Sequence, residues 1–92
     1  MPNTQPPEER FNEWLRHNPG VINDFIGFSL EILNQNPNTT RIGSAQVWER
    51  CRWESTVVHR ATYKLDNNFR SRVVRLAMAT DSRLAGVFEI RR

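Results

Sequence analysis

The chain has 92 residues, 38% of them apolar and nine of them aromatic, with a net charge of +3 and a pI of about 10. That length leaves room for one hydrophobic core and not two, and Trp14, Trp48 and Trp53 bring enough area per residue to build it. The single cysteine, Cys51, excludes an internal disulfide and fits a reducing cytoplasm; the opening "MPNTQPPEER" lacks the basic-then-apolar order of a signal peptide, and no apolar run reaches membrane-spanning length.

Residues 1–10 are expected as a flexible N-terminal arm, with three prolines among the first seven, and residues 11–92 as a single domain. A short helix can form from Glu8 to Arg16, with Phe11, Trp14 and Leu15 on one side at i, i+3, i+4. Asn18 then reads as an N-cap with Pro19 at the first helical position, where its missing N–H is not needed. The helix so begun runs to about Gln35 on a stripe of Ile22, Phe25, Ile26, Ser29, Ile32 and Leu33, with Asn23, Asp24, Gly27, Glu31 and Asn34 opposite. Asn36 before Pro37 ends it.

"TRIG" predicts a small strand, and Ser44 a cap for a helix to about Glu54 that turns Val47, Trp48 and Cys51 inward and Trp53 away. Residues 55–65, "STVVHRATYKL", fit a small hairpin or an irregular loop. Asp66 or Asn67 caps a further helix to about Thr80; "DSRLAG" is a turn, and "VFEIRR" alternates as a last strand. The expected fold class is therefore mainly α with a minor β-sheet (α+β), in a winged-helix-like order. The third main helix of that order, from Asn67, takes the recognition position of such a fold. The twelve-residue link before it and the short tail after it fit that scheme poorly.

Charge is divided unevenly. Residues 1–39 hold two arginines against five acids, and residues 40–92 hold eleven Lys/Arg against five acids. Such asymmetry points to a basic face and a polyanionic partner. On a helical wheel Phe69, Val73, Leu76 and Ala77 form the core stripe of the helix from Asn67, while Asn68, Ser71, Arg72 and Arg75 form a contiguous strip without an acid, and Arg70 sits beside the apolar face. Arginine suits phosphate and guanine, asparagine suits adenine, and serine suits phosphate oxygens. The expected function is therefore non-enzymatic DNA binding by Asn68, Ser71, Arg72 and Arg75, with Arg41, Lys64, Arg70, Arg91 and Arg92 flanking on phosphates. The competing reading is structural: the three helix arginines pair with Glu49, Glu54 or Glu89 within the fold.

Catalysis and bound cofactors are not expected. His17, His59 and Cys51 do not make a metal set. Cys51 falls on the inner face of its helix, where a thiol behaves as a small hydrophobe, and the four scattered glycines form no phosphate-cradling loop.

The strings "FNEWLRHNPGV", "VWERCRWE", "YKLDNNFRSR" and "FEIRR" together resemble a group of small bacteriophage and prophage proteins over roughly residues 11–91. The matching positions are Phe11 and Trp14, the Asn18–Pro19 pair, Glu49, Arg50, Arg52 and Trp53, Lys64, Leu65, Asn67 and Asn68, and Phe88, Glu89 and Arg91. Cys51 and Asp66 depart from the group's usual aliphatic and asparagine. The resemblance implies a mobile-element origin and a setting in the cytoplasm of a bacterial host, and supplies no catalytic residue. It raises an alternative function, a phage-encoded inhibitor of a host defence complex, of anti-CRISPR or anti-restriction type, acting by protein–protein contact. The acidic first half, with Glu9 and Glu13, would then dock on a basic partner, and Trp14 or Trp53 would anchor the interface. A homodimer with a solvent-facing basic helix is a third possibility.

Overall fold

The computed structural model describes residues 6–58 and 63–88. Among these residues four α-helices follow one another, α1 (Pro7–His17), α2 (Val21–Gln35), α3 (Ser44–Thr56) and α4 (Arg70–Thr80), with 3₁₀ turns at Asn67–Phe69 and Ser82–Leu84. α2 is central and packs on both α3 and α4. Phe25 of α2, Val47, Trp48 and Cys51 of α3, Val73, Val74 and Ala77 of α4, and Leu84 and Phe88 beyond it are buried in one core.

α1 begins with Pro7 in its first turn, carries Glu8 and Glu9 there, and ends on Arg16 and His17, the order the helix dipole favours. Its attachment to the core is aromatic. Phe11 lies 5.6 Å and Trp14 5.1 Å from the Phe69 ring, and Trp14 lies 6.5 Å from Trp48.

Asn18 does not start α2. It ends α1: its backbone N–H donates to Leu15 O, and its Nδ2 donates to Trp14 O at 2.7 Å. Asn36 ends α2 in the same conformation, with its N–H on Leu33 O and its Nδ2 on Ile32 O. Each asparagine precedes a proline, which keeps it out of the helical region, so both Asn–Pro pairs act as stops. α2 instead starts after Gly20, whose φ of +93° is a left-handed conformation that glycine adopts without strain. Asp24, expected on the solvent face, is half-buried and accepts a hydrogen bond from the Tyr63 hydroxyl at 3.0 Å.

The expected minor sheet and the winged-helix-like architecture built on it are not present: the fold is helical, with no sheet among the described residues. "TRIG" contributes one residue, Ile42, to an isolated parallel bridge with Phe88, through Ile42 N–H on Val87 O at 3.1 Å. The ladder stops there because Gly43 already caps α3. Val87 and Phe88 are both buried instead of alternating between faces, and Glu89 to Arg92 of the expected last strand lie outside the described residues. Ser55 and Thr56 of the expected hairpin or loop extend α3, and residues 59–62 also lie outside. Among the described residues no helix is long and apolar enough to cross a membrane.

Candidate nucleic-acid interface

The start of α4 is fixed by two polar latches. Asp66 caps the 3₁₀ turn by accepting the Asn68 N–H at 2.9 Å. Asn67 Oδ1 accepts the buried Trp48 indole N–H at 2.8 Å and Arg52 Nη2 at 2.6 Å, which ties α4 to α3 across the long intervening link. The chain just upstream is held on α1: Lys64 N–H donates to Asn18 Oδ1 at 2.6 Å, and Trp14 Nε1 donates to Lys64 O at 2.9 Å.

With Val74 buried beside Val73 and Ala77, the inward face of α4 centres near about 90° on a wheel of about 100° per residue from Phe69. Asn68, Ser71, Arg72 and Arg75 then surround the opposite direction, near about 270°. The strip faces away from the core; Asn68, Ser71 and Arg75 are exposed and Arg72 is half-buried.

Among the described residues the arginines of α3 and of α4 differ in their pairing. Those of α3 are engaged: Arg50 Nε meets Glu54 Oε1 at 3.1 Å, its Nη2 lies 3.8 Å from Glu31, and its guanidinium sits 4.6 Å over the Phe28 ring. Arg52 lies 3.7 Å from Glu49 in addition to its bond to Asn67. Arg83 pairs with Asp81 at 2.7 Å, which raises the guanidinium pKa and lowers that of the carboxyl. In contrast, Arg70, Arg72 and Arg75 have no carboxylate within ion-pair distance among the described residues. Of the acids that could have neutralised them, Glu49 and Glu54 are occupied on α3, and Glu89 lies outside the described residues.

The structure brings Asn68, Ser71 and Arg72 together around one cleft, lined also by Pro7, Arg10, Asp66 and Phe69. Arg10 is not among the contacts expected from sequence, although it falls in the helix expected from Glu8 to Arg16; its place next to Phe11 on the apolar side of that helix was the available signal. Lys64 is exposed, with its backbone clamped as above. Arg41 is exposed before Ile42, on the segment that meets Val87 and Phe88, and does not line the cleft. Arg91 and Arg92 lie outside the described residues.

The side chains of the alternative protein interface are dispersed in role. Trp14 is half-buried, with its ring between Phe11, Phe69 and Trp48 and its N–H engaged. Trp53 is 56% exposed, next to Val57 at 52% and Val58 at 39%. Glu9 and Glu13 are exposed on α1.

Burial pushes the Cys51 thiol up to about 12, so it carries no thiolate near neutral pH, the form a nucleophile needs. His59 lies outside the described residues, and His17 Nδ1 sits 2.9 Å from the Glu13 carbonyl oxygen. Comparison with protein-family models, curated proteins and solved structures finds no match to this chain.

Proposed function

We propose that the chain binds DNA through the outward strip of α4 and performs no chemistry on it. One observation carries this reading: the α4 arginines are unpaired among the described residues, while the α3 arginines are paired. An exposed ion pair contributes only about 0–1 kcal/mol, so the α4 arginines cost the fold little when left to solvent and stay open to an anionic ligand. Arg72 and Arg75, one turn apart on a face with Ser71 and Asn68, leave their guanidinium groups available for phosphate oxygens and base edges. The helical fold removes the winged-helix argument, so the proposal rests on charge and exposure alone. Lys64, just upstream of the strip, adds a phosphate contact; Arg70, about 100° from Phe69, starts the helix on the side away from the strip, and Arg41 does not line the cleft.

The test is binding to a random-sequence duplex at two salt concentrations, comparing wild type with Arg72→Ala/Arg75→Ala. Salt-sensitive binding that weakens in the double variant supports the proposal. Absence of binding at low salt contradicts it.

The exposed group Trp53, Val57 and Val58 favours a second reading, a phage-encoded protein that inhibits a host defence complex by direct contact. Exposed tryptophan is the side chain interfaces use most heavily as an anchor. Binding of that kind weakens little with salt and is lost in Trp53→Ala.

A further inference from the structure

We infer that the cleft between α1 and the start of α4 holds a phosphate group, gripped by Arg10 from one helix and Arg72 from the other. The inference rests on the DNA reading and extends it to a second helix, with a backbone phosphate of the DNA strand as the ligand. Arg10 and Arg72 line a common space of about 640 Å³ together with Ser71 and Asn68, and neither arginine has a carboxylate partner among the described residues. Two like charges on separate helices that line one space repel each other, and an anion held there relieves that repulsion. Ser71 adds a hydroxyl donor and Asn68 an amide donor. Phe69 and Pro7 form apolar wall, which suits the sugar on either side of a phosphodiester.

Asp66 also lines the cleft, and its Oδ1 accepts the Asn68 N–H. Its carboxylate opposes an incoming anion and limits affinity. This gives the proposal a gain-of-binding test. In Asp66→Asn the side-chain oxygen still caps the turn, while one negative charge is removed. Anion affinity then rises about threefold, the Coulomb effect of a unit charge about 6 Å away in a water-like medium.

Two probes separate the sources of phosphate. The first is a random duplex, titrated over a range of salt with wild type, Arg10→Gln, Asp66→Asn and Arg75→Gln. The second is inorganic pyrophosphate, followed through the backbone amides of Asn68 and Ser71 by NMR. Arg10→Gln weakens duplex binding severalfold and lowers its salt slope by about one, and Asp66→Asn tightens it. Pyrophosphate shifts both amides in wild type and neither in Arg10→Gln. A duplex response without a pyrophosphate response overturns the cleft as a phosphate site in its own right. A pyrophosphate response without duplex binding overturns the DNA reading and leaves a site for a free phosphate compound. If Arg75→Gln weakens duplex binding while Arg10→Gln and Asp66→Asn match wild type, α4 binds DNA and the cleft proposal is overturned. No response in either probe overturns both.

Discussion

The indole N–H of Trp48, buried on α3, donates to Oδ1 of Asn67 at 2.8 Å, so the helix that presents the basic strip is positioned by a bond into the core. The partners are nineteen positions apart, and between the end of α3 at Thr56 and Asn67 no helix or strand lies among the described residues. Removing the acceptor leaves a buried donor without a partner, which costs about 1–3 kcal/mol. Asn67→Ala is therefore expected to lower the melting temperature, by about 4–8 °C per kcal/mol for a domain of this size. Calorimetry or thermal circular dichroism checks this.

Asn18 makes the corresponding latch on α1, with its amide shared between Trp14 O and Lys64 N–H. Asn18→Ala loses both bonds at a largely buried position and is expected to destabilise by about 2 kcal/mol. Asn18→Asp keeps the acceptor for Lys64 and loses the donor to Trp14, so it should fall between wild type and alanine in denaturant midpoint.

Paired and unpaired arginines predict opposite phenotypes. Arg50→Ala strips Glu54, itself buried, of its partner, and should cost about 1–3 kcal/mol while leaving the salt slope of DNA binding unchanged. Arg75→Ala should alter stability by less than about 0.5 kcal/mol and lower that slope by about one. Denaturant titration and binding isotherms on the same two variants check the partition.

Alkaline pH should destabilise the fold. Burial raises the Cys51 thiol from 9.0 to about 12, and burial raises the Tyr63 hydroxyl as well. For a group whose folded pKa is raised, the contribution is complete below the unfolded pKa and is lost as pH climbs toward the folded one. The window for Cys51 runs from about pH 9 to about pH 12. Stability measured at pH 8 and pH 10.5 should fall, and the fall should shrink in Cys51→Ala. At pH 8 the thiol of the native protein should react with a thiol reagent only at the rate of unfolding.

The helices were legible because their apolar spacing is regular: Phe11 in α1, Phe25 and Ser29 in α2, and Val47, Trp48 and Cys51 in α3 are all buried as that spacing predicts. The Asn–Pro pairs show what spacing leaves open. Asn18–Pro19 and Asn36–Pro37 are the same dipeptide, and a start and a stop satisfy the same local preferences until the amide finds its acceptors. The sheet was misread because β-branched residues around Ile42 and Val87 signal extended backbone, and extended backbone forms a ladder only where its neighbours are free to pair. Leu84 is fully buried in a 3₁₀ turn too short to show a period. The α4 strip was legible as composition. Its state of pairing was not: Arg50–Glu54 and Arg52–Glu49 lie within α3 at helical spacing, but whether an acid of another helix reaches α4 depends on how the helices pack.

The central claim is that the outward face of α4 meets DNA, and amide chemical-shift mapping during titration with a short duplex at low salt tests it most directly. The account predicts shifts concentrated on Asn68, Ser71, Arg72 and Arg75, reversed by added salt, with Trp53, Val57 and Val58 unmoved. Saturating duplex that leaves the α4 amides in place would contradict it.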